Sequence, residues 1–491
     1  MLTRREFLMG SAALAWGSVG CARRFSESGP VLVNDIHSQL NLTRVSRVLR
    51  PDSFKAIQAA VRNARAEGRG ISVAGGRHAA GGQQFGRDTI LVDMAAMNRV
   101  LKFDPTRGQI EVEAGIQWPE LIDHLLRLQQ GRRGQWGIVQ KQGVDGMSVG
   151  GTLAANAHGS GLRLKPFVGD VESFVLVDAE GVPRTCDRTT NAELFRLAIG
   201  GYGLFGIIAA VRLRLAPRRT LEQVVEVIEV EDLVPTVEKR IADGFLYGNF
   251  QYATDETSDD FLRKGIFSCH RPVESSAPIS EGQKELSEAD WRELLYLSHA
   301  DKKRAFETYS TYSVSTSGRI YWSDTHQLAV YFKDYHARLD QRLGETEKAT
   351  EILVEFFVPR ASLIRFLDDA RQDFRANKVN LIFGAIRFIE RDEESFLAWA
   401  KEPYACVVFN LHTVHTRPAL ERSAEAFRRL VDLAIRYGGT YYLTYHRWAT
   451  RKQVEACYPQ FPEFLHLKRK YDPREQFQSD WYRHFTAMFL D

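Results

Sequence analysis

The sequence predicts an α+β chain of two units, and three observations carry that reading. Short strands and helices alternate from Pro51 to about residue 218, interrupted by glycine-rich tracts at 75–83, 149–161 and 200–206. The texture changes after Ala216-Pro217-Arg218-Arg219. Between 219 and 455, long strands of alternating polarity stand between charge-rich helices, which suits an antiparallel sheet covered by helices. Composition is compatible: 491 residues, 44% hydrophobic and 26% charged, are globular in character and sufficient for two to four domains. Basic and acidic residues number 65 and 62, too even a balance for a nucleic-acid binder with a basic face. Cys21, Cys186, Cys269, Cys406 and Cys457 lie far apart without a CxxC pair, so neither a zinc site nor a disulfide framework follows and no metal is expected.

Residues 1–21 read as an address. Thr3-Arg4-Arg5-Glu6-Phe7-Leu8 matches the twin-arginine export pattern, and Leu8 to Gly20 is a weakly hydrophobic run too short for a bilayer core of about 30 Å. Export to the periplasm or another extracytoplasmic space is the expectation. Ser18-Val19-Gly20-Cys21 also resembles a lipoprotein processing site, so contact with a membrane is expected only if Cys21 is lipidated.

The first unit, placed at 38–218, begins with a helix after Pro51-Asp52-Ser53, its apolar positions Phe54, Ile57, Val61 and Ala64 at helical spacing and Gly68 and Gly70 at its end. Ile71 to Ala74 is a strand that runs into Gly75-Gly76-Arg77-His78-Ala79-Ala80-Gly81-Gly82-Gln83, and Thr89 to Asp93 is the next. Ile110 to Glu113 leads through Ala114-Gly115 to a helix with Pro119 in its first turn. The second tract runs Val149 to Gly161. A strand at Phe174 to Asp178, a helix at Glu193 to Ile199, the third tract and a strand with Val211, Leu213 and Leu215 on one face complete the unit. In the second unit, Arg387 lies on a strand of Leu381, Ile382, Phe383, Ile386, Phe388 and Ile389. Val408, Asn410 and His412 share one face of another, and Tyr441, Leu443, Tyr445 and Arg447 share a face of a third, opposite His446. Residues 456–491 form a C-terminal segment in which Asp472-Pro473 stops a basic helix.

None of the tracts is a dinucleotide fingerprint, because the first connects two strands and no acidic ribose ligand stands at the required distance. Glycines such as Gly75, Gly76, Gly81 and Gly82 let successive backbone N–H groups turn inward as an anion nest, and three tracts within about 130 residues favour one extended anionic ligand over three unrelated turns.

Together GGRHAAGGQ, VGGTLAANAHGSG and IGGYGLFGIIAAVRLRL resemble the FAD-binding domain of the vanillyl-alcohol oxidase and cytokinin dehydrogenase superfamily, including sugar-lactone and alditol oxidases, over roughly 45–217. The resemblance implies an FAD-binding domain of PCMH type with two subdomains, followed by a substrate or cap domain at 219–455, with the C-terminal segment returning to the FAD domain. It implies that FAD is held by Ala74, Gly75, Gly76, Arg77, His78, Ala79, Gly82 and Gln83; by Ala114 and Gly115; by Val149, Gly150, Gly151, Thr152, Ala155, Asn156, His158, Gly159 and Ser160; and by Gly206, Ile207 and Ile208. His78 falls where relatives bond histidine covalently to the flavin 8α-methyl. A hydrogen-bonded loop histidine is the rival reading, as is a packed histidine for His158. No cysteine stands in 143–149, which argues against a doubly linked flavin.

The resemblance further implies oxidation of a C–OH or C–N carbon of a small-molecule substrate, with dioxygen or another electron acceptor downstream. Ala385-Ile386-Arg387 resembles a Glu-Ile-Arg segment of sugar and alditol oxidases with the acid lost, which puts a plain polyol in doubt; Tyr445 or His446 stands where relatives place lysine. His412, Tyr445 and His446 are the candidate proton acceptors and Arg387 the candidate stabiliser of developing negative charge. An ion pair of Arg387 with Glu390 or Asp392 is its structural alternative. The rival functions are a flavin-dependent reductase of the same fold and a non-catalytic exported flavin-binding lipoprotein.

Overall fold

The computed structural model describes residues 29–274, 279, 285–329, 332 and 335–490; the expected export signal and Cys21 lie outside them. The helix Phe54–Ala66 starts where Ser53 accepts the Ala56 N–H, and it buries Ile57, Ala60, Val61 and Ala64. It leads into a parallel three-stranded sheet ordered Arg47–Leu49, Ile90–Asp93, Ile71–Ala74. Beside it stands an antiparallel sheet ordered Pro183–Cys186, Val171–Val177, Ile207–Pro217, Gln109–Glu113, Val100–Asp104, with Trp136–Ile138 joined to the end of Ile207–Pro217. These two sheets are the two expected subdomains.

The second unit is an eight-stranded antiparallel sheet ordered Ile320–Trp322, Thr220–Glu229, Lys264–Pro272, Tyr247–Tyr252, Leu381–Ile389, Tyr404–Val414, Ala349–Pro359, Thr440–Tyr441. Strand parity divides its labour. Phe356 points to one face, where its ring meets Phe366 of the helix Leu363–Asn377 and Phe427 of the helix Arg417–Arg436. Glu351, Leu353, Glu355 and Phe357 point to the other, opposite His412, Asn410, Val408 and Cys406 in register, and Arg387 joins that face as the partner of Cys406. This second face meets the first unit: Tyr442 Oη donates to the Ala155 carbonyl at 2.8 Å and Trp399 Nε1 to the Asn156 carbonyl at 3.0 Å.

Two expectations are corrected. The strand drawn through 438–446 is only Thr440–Tyr441; the chain then turns, with Tyr442 N donating to the Glu355 carbonyl, so Tyr445 and His446 sit in a turn instead of on alternate faces. Arg387 has neither proposed acid as partner, since Glu390 pairs with Arg360 and Asp392 bonds Asn156 and Ser395. Cys186, Cys269, Cys406 and Cys457 are buried free thiols.

The C-terminal segment packs on the first unit. Phe477 extends the parallel sheet beside Ile71, with Ile71 N donating to Gln476 O and Gln478 N to Ile71 O, each at 2.7 Å. Trp481 then meets the ring of Tyr202 in the third tract, centroids 5.0 Å apart and planes tilted by 40°.

Candidate functional site

A cleft lies between the two units, with about 1220 Å³ of free space in and before it, part of it open solvent. The first tract contributes Gly75, Gly76, Arg77, His78, Ala79 and Gln83, the second Gly150, Gly151 and Ala155, and the third Gly206 with Ile208 after it; Ala114 is also in the wall. The opposite wall is Glu351, Leu353, Tyr442, Thr444 and Tyr445. Close approach explains the glycines. A Cβ on Gly75 would lie 2.1 Å from Ser148 Oγ, and one on Gly76 would lie 2.3 Å from the Gly146 carbonyl oxygen. The tract therefore presses backbone to backbone on the 146–148 loop, as only glycine permits.

The remaining expected cofactor residues stand behind the wall. Ala74 is buried at the end of its strand, and Gly82 has a left-handed φ of 76° and supports the first tract from below. Gly115 is so close to Met94 O that a Cβ would fall 1.8 Å from it. Val149 is buried in the helix Val149–Ala155, and Thr152 receives the Trp118 indole N–H at 3.1 Å. Asn156 ends that helix at a left-handed φ of 47°, its amide donating to Asp392 Oδ2 at 2.8 Å. Ile207 is buried, Gly159 receives support from Gln140 and Ser160 lines a separate small cavity.

His78 is paired with a residue that sequence reasoning missed. His37 Nε2 lies 2.8 Å from His78 Nδ1, so one ring donates and the other accepts. Burial, then the neighbouring His37, pushes His78 down to about 3, while the Gly146 carbonyl opposes the shift. Burial likewise pushes His37 to about 4 against the pull of Asp35. Both imidazoles are neutral at pH 7.

Tyr445 is the one candidate acid–base residue in the cleft wall. Its hydroxyl donates to Glu355 Oε1 at 2.9 Å, and burial, then the Glu355 charge, raises the phenol well above its usual range. His158 Nε2 lies 3.0 Å from Glu355 Oε2, with its Nδ1 3.2 Å from the Gly159 carbonyl, so this histidine joins the units by contacting Glu355. Burial alone would raise the Glu355 carboxyl; His158 and Arg387 outweigh it and hold it below the ordinary value. Arg387 places Nε 3.4 Å from Asn249 Oδ1 and turns its guanidinium toward Gly143. His446 is stacked on Trp448 at 4.3 Å, outside the cleft wall, and burial pushes it to about 4.

His412 stands beside Glu351, not in the cleft wall, covered by the helix Glu288–Ala300 through His299. Glu351 is surrounded by His299, His336 and His412. Glu351 and Glu355 were legible: one stands just before the apolar run Ile352 to Val358 and the other interrupts it, with the same parity, the signal that singled out Arg387.

Residues 45–187 match the family model of the FAD binding domain. L-gulonolactone oxidase of Bos taurus is 28% identical over 178 residues, 35% of this chain and 38% of its own length. L-galactono-1,4-lactone dehydrogenase 1, mitochondrial, of Oryza sativa subsp. japonica is 31% identical over 199 residues, 39% of this chain and 32% of its own. Both alignments span little more than a third of the relative at most. L-gulono-1,4-lactone dehydrogenase of Mycobacterium tuberculosis is 24% identical over 442 residues, 89% of this chain and 95% of its own length.

Proposed function

Because this chain is a homologue of the FAD-binding PCMH-type oxidases, we propose that it is an FAD-dependent oxidoreductase acting on a C–OH carbon of a small hydroxylated substrate, a sugar-derived lactone being the first class to try. The observation that carries this reading is the cleft itself: glycine backbone on one wall, and on the other Glu351, Leu353, Tyr442, Thr444 and Tyr445, the last bonded to the buried Glu355. The residues present fit FAD. Backbone from 75–79 and 150–151, brought close where no Cβ could stand, offers N–H groups to a diphosphate, and Val73, Met147, Leu353 and Ile208 supply an apolar lining. His78, neutral and oriented by His37, is the proposed covalent attachment point.

Bound FAD supplies a hydride acceptor. The chain must orient the carbon, exclude water and take the hydroxyl proton. We assign that proton to the Tyr445 hydroxyl, which passes its own to Glu355 at 2.9 Å; the substrate C–OH thereby becomes C=O as the hydride leaves. His158 and Arg387 balance charge around Glu355. The chain reaches this state after twin-arginine export, with dioxygen or another acceptor reoxidising it. The test is anaerobic bleaching of the purified yellow protein by a panel of aldonolactones, sugars, polyols, alcohols and amines. Bleaching by lactones or sugars supports the reading; bleaching only by a reduced nicotinamide would favour the reductase, and no bleaching by any donor the binding protein.

A further inference from the structure

We propose that His299, His336, Glu351 and His412 form a binding site for one divalent transition-metal ion of the zinc class. The four side chains come from four elements. His299 is near the end of the helix Glu288–Ala300, His336 is in the first turn of Tyr335–Leu343, and Glu351 and His412 are direct partners across two strands of the large sheet. Their side chains are 3%, 7%, 4% and 10% exposed, so this is an interior cluster, not a solvated face.

The imidazoles converge on one carboxylate. His336 Nδ1 lies 2.9 Å from Glu351 Oε2, His299 Nε2 3.4 Å and His412 Nδ1 4.0 Å from Oε1. Yet none of these contacts has the direction of a hydrogen bond: both nitrogens of His299, Nδ1 of His336 and of His412, and Glu351 Oε1 lack a hydrogen-bond partner among the described residues. Buried polar atoms are nearly always satisfied, so this many orphans on one spot indicate a missing partner that accepts lone pairs. A cation does so. The donor atoms of His299, Glu351 and His412 lie within 4.8 Å of one another, and a tetrahedral ion with bonds of about 2.1 Å needs donors about 3.4 Å apart, a closure that side-chain rotation can supply. The rings of His299 and His412 already meet edge to face at 4.9 Å. Three imidazoles with one carboxylate suit zinc or its transition-metal neighbours and not calcium or magnesium, which take oxygen donors.

A second group with ligating atoms, His158, Glu355 and Cys406, serves as an internal contrast. There each carboxylate oxygen already has its donor, Tyr445 on Oε1 and His158 on Oε2, so that group is complete without an ion. Of the four, Glu351 alone borders the cleft, four residues along the same face from Glu355.

The test uses the full chain with its flavin. After equilibration with zinc and gel filtration in chelator-free buffer, elemental analysis should give about one zinc per chain, with a raised melting temperature relative to chelator-treated protein. His299→Ala and His412→Ala should each lower the retained zinc at least tenfold, whereas Cys406→Ser should leave it unchanged. X-ray absorption at the zinc edge of the wild-type protein should show nitrogen and oxygen neighbours without sulfur, a readout that holds even where a variant fails to fold. Wild-type protein that retains no zinc and shows no thermal shift, or a zinc edge with sulfur scattering, overturns the proposal.

Discussion

His37 Nε2 stands 2.8 Å from His78 Nδ1 across 41 residues of sequence, and both imidazoles are kept neutral by burial. A nucleophilic imidazole must be uncharged and must present a lone pair on a fixed nitrogen, which this contact provides. Acid-precipitated wild-type protein is expected to stay fluorescent from attached flavin, and His78→Ala to release all of it. His37→Ala should bind flavin but attach only part of it during expression. Release of the whole flavin by the wild type ends the covalent assignment and leaves the fold untouched.

Removing only the Tyr445 hydroxyl isolates the proton route. Tyr445→Phe keeps the ring against Tyr442 and deletes the 2.9 Å bond to Glu355. Flavin reduction measured by stopped flow should slow about 100-fold, within the usual range for a general acid–base group. An unchanged rate would move the proton acceptor elsewhere.

Among the described residues Arg387 has no acid bonded to it, and it sits on a strand whose neighbours Ile386 and Phe388 are buried, while its charge helps hold Glu355 below its usual value. Arg387→Met should retain flavin and melt within a few degrees of wild type, but lose on the order of 100-fold in flavin reduction rate, comparable to loss of an oxyanion donor. A lowered melting temperature with normal reduction would make the arginine structural.

Acid should destabilise the fold earlier than its carboxylates alone dictate. Burial depresses His37, His270 and His446 to about 4 and His78 to about 3, against 6.5 for the ordinary group. The unfolded chain therefore binds protons that the folded chain refuses. Stability is whole above pH 6.5 and declines as pH falls toward 4, by up to about 1.4 kcal/mol per pH unit for each such histidine. Scanning calorimetry from pH 7.5 to 4.5 should show the descent, and His446→Gln should flatten it; a level wild-type profile would mean these rings are charged.

The proposed twin-arginine address would be read by a receptor that distinguishes guanidinium from ammonium. Changing Arg4 and Arg5 together to lysine should leave precursor in the cytoplasm, as immunoblots of fractionated cells would show. Normal processing of that variant would remove the address from residues 1–21.

Much of this was written locally. Parity correctly put Val408, Asn410 and His412 on one face, and the lone cation among Leu381 to Ile389 marked the strand that joins it. What escaped is long-range. Gly439-Thr440-Tyr441-Tyr442-Leu443-Thr444-Tyr445 reads as strand from its aromatic and β-branched content, but after Tyr441 the chain bends, its carbonyls at Leu443 and Thr444 taking Gln83 and Ala80 of the first tract. His37 lies in a loop without periodicity, and the histidines around Glu351 come from separate helices and strands, so neither grouping leaves a pattern in any window of sequence.

The short parallel pairing of Phe477 with Ile71 sets an order of events on the ribosome. Strand Ile71–Ala74 and the turn that follows it are synthesised early, but the segment that flanks them emerges about 260 residues after Pro217, roughly 13–52 s later at 5–20 residues per second. Throughout that interval the nascent chain displays an unfinished sheet margin and a bare seat for Trp481, surfaces that a chaperone would cover and a partner strand could invade. Closure at Phe477 is thus a late, non-local step, and the nascent chain cannot complete its first unit until the segment around Phe477 has emerged.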